Sequence, residues 1–402
     1  MKLPWKLPTD HFPVFLHALG IMSTLGRNKS ETVHRLLHSN IQWAELHSQQ
    51  TTHGAILSPL PTFPESWQQW NSRNNQVLWQ LLQQIQPEVE HAISRYGANR
   101  IGVVLGSSTS GMKEAEEAII HFRQQGIWPD RFAYPQQEPG SPALFLSQAL
   151  DLHAPAYVVT TACSSSAKVF ASARRLLKSR VCDAVLVGGV DTLCRFTAAG
   201  FQSLESVTPS PPCNPFSRNR QGIHIGEGGA LFLLSREPAP IALLGIGESS
   251  DAYHVSAPDP SGQGAALAVK QALQEANLTA SAIDYVNLHG TATKLNDAME
   301  STLFHRLYGT VPCSSTKALT GHTLGAAGAV ETALLWLTLH PQWNPQALLP
   351  AHLWDGEADP ALPVLPWVIA GDSLSGRSVK TMVSHSFAFG GSNCALLLGG
   401  LP

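Results

Sequence analysis

The stretch from Ala156 to Val190 constrains the fold of this chain more than any other part of the sequence. Tyr157 to Thr161 is β-branched and aromatic, which is typical of a buried strand, and small residues and then apolar residues at helical spacing follow it. A second apolar run, Ala184 to Val190, completes a strand–helix–strand unit of about thirty residues. Cys163 lies where the first strand gives way to the helix, so we expect its thiol to face the helix N-terminus at the top of a sheet.

A cysteine at such a turn is a candidate nucleophile. A helix N-terminus stabilises a thiolate by roughly 1 kcal/mol, which lowers a thiol pKa of roughly 8.5 by about 0.7. This effect raises the thiolate fraction without completing a catalyst, so a basic partner must come from elsewhere in the chain. The alternative interpretation of Cys163 is a small buried hydrophobe, the usual role of a lone cysteine.

Composition limits the class of protein. The 402 residues carry a net charge of −3 and only 14% of them are charged, which gives no reason to expect binding to nucleic acid or to an anionic membrane. The sequence has no run of eighteen apolar residues, so no integral membrane span is predicted. The length suffices for two packed lobes. The six cysteines show no CxxC spacing, which favours a reduced, cytoplasmic protein without structural zinc or another metal.

Two stretches superficially match motifs of other classes. Lys2 and Lys6 precede an apolar run as in a secretory signal, but prolines interrupt it and we predict a first strand from Val14 to Leu19. The loop from Gly106 to Lys113 has the glycine spacing of a P-loop, but Met112 occupies the position where Lys should directly follow glycine. We therefore predict turns and packing there and no phosphate site.

The second half of the sequence repeats the pattern of the first. It begins with a strand from Ile241 to Glu248 and a helix from Gly264 to Ala276. A strand from Ile283 to Leu288 follows, and the last strand runs from Ala395 to Leu398. This predicts an internally duplicated α/β/α body, with an N-terminal half at 1–238 that carries Cys163 and a C-terminal half at 239–402. Direct sequence identity between the halves is too weak to establish the duplication.

His289 and His322 are the candidate partners of Cys163. His289 follows a predicted strand and begins His-Gly-Thr-Ala-Thr, and His322 follows Lys317-Ala-Leu-Thr-Gly ahead of a helix rich in small residues. The chain has 17 histidines, so any single one is more often incidental than functional. Sites in open α/β sheets form at the carboxyl ends of strands, which makes it plausible that these motifs converge on Cys163.

Taken together, the motifs resemble the β-ketoacyl-acyl carrier protein synthases of the elongating Cys-His-His class. The resemblance runs from Ala18 to Asn393, and the motifs occur in family order: Thr161-Ala-Cys-Ser-Ser-Ser, Gly226-Glu-Gly, His289 to Thr293 with Asp297 and Glu300, Lys317 to Gly328, and Phe389-Gly-Gly-Ser-Asn393. The stretch 289–297 also looks like synthases of aryl polyene pathways. The resemblance implies a thiolase-like duplicated α/β/α layered sandwich, which dimerises across the strand region of Cys163.

The resemblance also implies an acyltransferase that performs a decarboxylative Claisen condensation in fatty acid, polyketide or aryl polyene biosynthesis. The enzyme would bind no cofactor of its own, since its substrates arrive on the phosphopantetheine of an acyl carrier protein. Its partners would be that carrier protein and either a second copy or a synthase-like chain-length subunit.

Residue roles follow from the matched motifs. Cys163 would accept the acyl chain, with its own N–H and that of Phe389 as oxyanion hole, and Gly390 and Gly391 would let the Phe389 loop move. His289 and His322 would donate N–H bonds to the enolate as neutral imidazoles, and Lys317 would disfavour protonation of His322. Further assignments are Glu300 as ion-pair partner of Lys317, Asp297 as a supporting residue, Thr291 and Thr293 as pantetheine-binding residues, and Thr109 as a small residue beside a roomy acyl pocket.

Two other functions remain open at this level. A non-catalytic chain-length subunit would share the fold, but such subunits typically lack the nucleophile. A thiolase would place a second catalytic cysteine near the C-terminal glycines, where Cys394 follows Asn393. The sequence also departs from the family pattern at Ser217, Ile223, Lys294, Asn296 and Ala388, which puts substrate shape and loop mobility in doubt rather than the chemistry.

Overall fold

The computed structural model describes residues 12–38, 41, 43, 45, 54–56, 59–376 and 380–400. The strands of the first half are β1 (Val14–Met22), β2 (Ile101–Gly106), β3 (Ala156–Val159), β4 (Ala184–Asp191) and β5 (Gly228–Ser235). Its helices are α1 (Lys29–Val33, continued by a π turn through His38), α2 (Arg73–Gln83), α3 (Gln86–Tyr96), α4 (Met112–Gln125), α5 (Ser141–Ala149), α6 (Ser165–Lys178) and α7 (Arg195–Ser203). The predicted first strand is confirmed as β1, while Lys2 and Lys6 lie outside the described residues.

The second half contributes the remaining elements. Its strands are β6 (Ile241–Ser250), β7 (Tyr285–Asn287), β8 (Cys313–Ser314), β9 (Lys380–Phe387) and β10 (Ser392–Gly400). Its helices are α8 (Gln263–Ala276), α9 (Lys294–Leu307), α10 (Lys317–Thr320) and α11 (Ala327–Leu339). Among the residues described, no helix is long and apolar enough to cross a bilayer.

The strand order demonstrates the duplication that the sequence only suggests. Hydrogen bonds join the strands in the order β3-β2-β4-β5-β1-β6-β10-β9-β7-β8. Numbered within its own half and read from its outer edge, each half therefore has the order 3-2-4-5-1, and in each the fifth strand runs antiparallel to its neighbours. The halves meet where Val14–Leu16 of β1 pairs with Ile241–Leu243 of β6. The predicted division at 238/239 falls in the loop before β6, and as a domain boundary it stays a prediction.

Helices α6 and α11 form the layer between the two halves. All thirteen residues of α11 are buried, and all except Glu331, Thr332 and Thr338 are apolar or glycine, which is typical of a core helix. One buried cluster joins α6 and α11 to strands of both halves, and two further clusters lie under the outer helices of each half. A Cβ on Gly328 would come within 2.6 Å of the Ala167 backbone nitrogen, so glycine is needed where the two central helices meet. The duplicated, layered α/β/α architecture is thereby confirmed.

Candidate active site

Cys163 lies on a tight turn between β3 and α6, as the sequence predicts, but β3 is a partly exposed edge strand and the prediction of a buried strand is wrong. Ala162 adopts a positive φ of 52°, which a residue with a side chain rarely does outside constrained sites. The Ser165 hydroxyl accepts a bond from the Thr161 N–H at 2.9 Å and donates to the Ala162 carbonyl at 2.5 Å, which holds the turn closed. This geometry presents the thiol at the end of the strand, although Cys163 is only 5% exposed.

Burial, rather than the helix N-terminus, dominates the acidity of this thiol. It raises the pKa of Cys163 to about 11, while the Lys317 charge and the N–H groups of Phe389 and Cys163 itself act in the opposite direction. The expected lowering of the pKa is therefore outweighed by desolvation. At neutral pH the resting group is a neutral thiol, and deprotonation must accompany attack.

His289 and His322 both face Cys163, which confirms that the three motifs converge. The His322 Nε2 lies 3.0 Å from the Cys163 Sγ, and the two imidazoles meet edge to face with centroids 5.5 Å apart. Burial, and then the positive charge of Lys317, hold the pKa of each histidine well below its usual value. Both rings are therefore neutral at physiological pH and each can carry one N–H.

Lys317 fixes which nitrogen of His289 carries the proton. Its ammonium donates to the His289 carbonyl at 2.5 Å and lies 3.4 Å from the His289 Nδ1. An ammonium can only donate, so Nδ1 acts as acceptor and the proton of the neutral ring resides on Nε2. His289 thus has an N–H available on the side away from Lys317.

The predicted ion pair between Lys317 and Glu300 is wrong. The carboxylate bonded to the Lys317 ammonium is that of Glu331, on α11, and both side chains are almost completely buried. Glu300 instead accepts the backbone N–H groups of His289 and Gly290 at 2.8 and 2.7 Å. The sequence did not indicate Glu331 as the partner of Lys317, because Glu331 lies 14 residues further along the chain in a mostly apolar helix.

Asp297 contacts the segment 216–220 rather than the reactive groups Cys163, His289 and His322. Its carboxylate accepts the Phe216 N–H at 2.7 Å, and the Arg220 Nε lies 4.0 Å away. Burial raises the pKa of Asp297 to about 7, against the opposing effect of the Phe216 N–H. The residue therefore ties α9 to the segment 216–220.

The loop after β9 brings a second backbone donor to the thiol. The Phe389 N–H interacts with Cys163 and opposes the rise in its pKa. Gly390 and Gly391 have φ values of 79° and 73°, and a Cβ on Gly391 would lie 2.8 Å from the Asp251 Cβ. Glycine is therefore required for the turn that presents Phe389.

A pocket of about 650 Å³ surrounds these groups. It is lined by the proposed site residues Cys163, His289, His322, Thr291, Thr293 and Phe389 and by the segment from Arg218 to Gly222. Four of the residues that depart from the family pattern also line it: Ile223, Lys294, Asn296 and Ala388. The Thr291 and Thr293 hydroxyls lie 2.9 Å apart in its wall.

Thr109 does not line this pocket. Its hydroxyl and N–H both donate to the buried Asp191 carboxylate at 2.9 Å, and Ser107 and Ser108 donate to the same carboxylate. The loop that resembles a P-loop thus wraps a carboxylate of its own chain. The assignment of Thr109 to an acyl pocket stays a prediction.

Two alternative chemistries can be weighed on the geometry. Cys394 is fully buried on β10 within the central cluster and does not line the pocket, so the second reactive cysteine of a thiolase has no counterpart there. Cys163, His289 and His322 each place a ligand atom within 4.8 Å of the others, a set that could hold a soft divalent ion. An ion bound there would occupy the same atoms that acyl transfer needs.

A cysteine at a strand–helix turn, facing two neutral histidines across the halves of a duplicated α/β/α sheet, defines a thiolase-like condensing enzyme. The chain belongs to the β-ketoacyl synthase family. Residues 68–239 match the family's N-terminal domain and residues 241–349 its C-terminal domain.

Similar proteins agree with this assignment. The chain is 32% identical over 319 residues to 3-oxoacyl-[acyl-carrier-protein] synthase 2 of Rhizobium meliloti, covering 74% of this chain and 73% of the relative. It is 33% identical over 324 residues to the synthase 2 of Mycobacterium bovis, covering 75% of each. A solved ketosynthase in complex with its chain length factor, from Xenorhabdus doucetiae, matches with 42% identity and a TM-score of 0.88 over 98% of this chain and 100% of that chain. A β-ketoacyl synthase from Burkholderia phymatum, 24% identical, shares the fold with a TM-score of 0.82 over 97% and 100% of the two chains. The protein is a β-ketoacyl synthase, an enzyme of the acyltransferase class.

Proposed function

We propose that Cys163 carries the growing acyl chain and that His289 and His322 stabilise the enolate of the extender unit. The observation that carries this assignment is the approach of the His322 Nε2 to the Cys163 Sγ at 3.0 Å, with His289 in the same pocket. The complete set of reactive groups argues against a non-catalytic chain-length subunit.

In the first stage the Cys163 Sγ attacks an acyl thioester carried on phosphopantetheine. A new S–C bond forms as the bond to the pantetheine sulfur breaks, and the Cys163 thiol proton passes by way of His322 to that leaving sulfur. Negative charge develops on the carbonyl oxygen, where the N–H groups of Cys163 and Phe389 would receive it. Removing one such donor typically costs about 3 kcal/mol.

In the second stage a malonyl thioester loses CO₂, and the electron pair of the broken C–C bond forms an enolate. The proton on the His289 Nε2 is placed to stabilise its oxygen, because Lys317 occupies the other side of that ring. His322 would supply a second N–H. The enolate carbon then attacks the acyl carbon, the C–S bond to Cys163 breaks, and the departing thiolate takes a proton from solvent.

The substrate arm would enter along the wall that contains Thr291 and Thr293. Their hydroxyls, 2.9 Å apart, can exchange their mutual bond for bonds to the amides of pantetheine. The rim carries Arg218 and Lys294, both exposed, which suits an acidic acyl carrier protein as donor. The resemblance of 289–297 to aryl polyene synthases extends the proposal to a polyene-forming pathway.

The test is to locate the acyl group. After incubation with a panel of saturated and polyunsaturated acyl-carrier proteins, peptide mass spectrometry is expected to place the adduct on Cys163, and malonyl-carrier protein should then discharge it as a β-ketoacyl product. Cys194, at 8% the most exposed of the six cysteines and absent from the pocket lining, serves as the internal control for nonspecific acylation. An adduct confined to any cysteine other than Cys163 would refute the assignment.

We further propose that the chain works as a heterodimer with a synthase-like chain-length subunit. The 42% identical solved complex pairs a ketosynthase with such a subunit. In this chain β3 is an edge strand, and large exposed apolar side chains concentrate around it in sequence: Ile119, Ile120, Phe122, Ile127, Trp128, Tyr134, Leu144 and Tyr157. Within the described residues β3 has a strand on one side only, and such an edge together with exposed aromatic side chains is typical of a protein-binding surface.

Native mass spectrometry after co-expression with a nucleophile-lacking synthase-like protein should give a one-to-one complex. Trp128→Glu and Tyr157→Glu are expected to weaken it roughly tenfold or more, because each buries a charge at the interface. Val364→Glu is the matched control, since Val364 is 86% exposed outside this sequence region. A stable assembly of two identical chains under the same conditions would contradict the heterodimer.

A further inference from the structure

A chain of buried polar groups lies behind His289. The Glu300 Oε1 accepts both the His289 N–H at 2.8 Å and the His385 Nδ1 proton at 3.1 Å. The other ring nitrogen of His385 lies 3.0 Å from the Tyr308 hydroxyl. Glu300 and His385 are completely buried, Tyr308 is 6% exposed, and neither His385 nor Tyr308 belongs to the motifs that identify the family.

The proton positions in this hydrogen-bonded series can be deduced from its two ends, Glu300 and Tyr308. A carboxylate that already accepts two backbone N–H groups can only accept again, so the His385 Nδ1 must carry a proton. A His385 ring whose one proton is on Nδ1 has Nε2 as an acceptor, to which the Tyr308 hydroxyl can donate. Burial, and then the negative charge of Glu300, raise the pKa of Tyr308, which keeps the phenol protonated. All the hydrogen bonds therefore point toward Glu300.

The hydrogen-bonded series from Tyr308 through Glu300 ends at the backbone N–H of His289. Glu300 holds the N–H of His289 on one side, while Lys317 holds its carbonyl at 2.5 Å on the other. Gly290, which also donates to Glu300, has a φ of 39°, and a Cβ there would lie 2.6 Å from the Ser315 Cβ, so this peptide packs closely against Ser315. Any change in the position of the Glu300 carboxylate therefore displaces His289.

We infer that His385, held in one tautomer by Glu300 and Tyr308 together, is a positioning residue that orients His289 for enolate stabilisation through Glu300. It does not touch substrate and acts only through the carboxylate. The inference rests on the proposed role of His289. It predicts that the hydrogen bond from Nδ1 matters for decarboxylation and that the one at Nε2 matters only because it fixes the tautomer.

Two substitutions separate the two ring nitrogens. His385→Asn places an amide N–H near the Nδ1 position and keeps a donor for Glu300, whereas His385→Gln extends its amide toward the Nε2 position and leaves Glu300 without that donor. His385→Gln is expected to lower kcat for malonyl-carrier protein decarboxylation about tenfold to a hundredfold, with KM and the rate of Cys163 acylation within about twofold of wild type. His385→Asn should stay within about threefold of wild type in all three quantities.

Equal losses in the two variants, or a parallel loss of Cys163 acylation, would overturn the inference. If His385→Gln does not fold, Tyr308→Phe decides. It should lower decarboxylation in the wild-type background and have no effect in the His385→Asn background, where no tautomer remains to be fixed; an equal effect in both backgrounds would also overturn it. A wild-type enzyme that fails to decarboxylate malonyl-carrier protein would instead count against the proposed function.

Discussion

Replacing Cys163 with Gln is expected to abolish condensation while leaving decarboxylation in place. The substitution removes the sulfur that we propose holds the acyl chain, yet it keeps His289 and His322 and puts an uncharged amide in place of the thiol. Release of labelled CO₂ from malonyl-carrier protein should therefore continue, and formation of β-ketoacyl product should fall below detection.

His322→Ala is the complementary variant. It removes one of the two N–H donors proposed for the enolate, so CO₂ release should fall by about 10²–10³, the usual effect of losing one oxyanion donor. Thermal unfolding of both variants controls for stability. If folded Cys163→Gln releases no CO₂, the division of labour between the thiol and the imidazoles is wrong.

Much of the fold could be predicted from local pattern. Strands such as β4 and β6 can be predicted from their long apolar runs, because both of their faces are buried. Pro87 predicts the break between α2 and α3, since proline starts a helix more readily than it continues one. The pairing of β1 with β6 and the packing of α6 on α11 could not be predicted, because they join residues more than 150 positions apart. The shared strand order of the two halves appears only once those pairings are known.

The reactive groups were predictable and their surroundings were not. Cys163, His289 and His322 sit in recognisable motifs, but the rise in the Cys163 pKa depends on burial by many distant residues. The sequence did contain one signal for Glu331, since it is the only charged residue in the mostly apolar helix α11. A charge in such a helix requires a buried partner, and Lys317 was the available cation.

The Lys317–Glu331 pair should have the largest effect on stability. Glu331→Leu leaves the Lys317 ammonium buried without its carboxylate, so the free energy of unfolding should fall by about 3–5 kcal/mol, as denaturant titration would measure. Glu357→Gln breaks the exposed pair with Arg218 and is the matched control, with an expected loss of about 1 kcal/mol or less.

A double substitution then distinguishes the two carboxylates that could pair with Lys317. Lys317→Met with Glu331→Leu replaces both charges by apolar groups of similar size, and such replacements of a buried pair are often neutral, so most of the lost stability should return. Lys317→Met with Glu300→Leu should show no recovery. The Glu300→Leu substitution would still leave the N–H groups of His289 and Gly290 without their acceptor. Recovery with Glu300→Leu and none with Glu331→Leu would mean that the ion pair runs to Glu300 after all. Both double variants should lack decarboxylation, since each removes the ammonium that fixes the tautomer of His289.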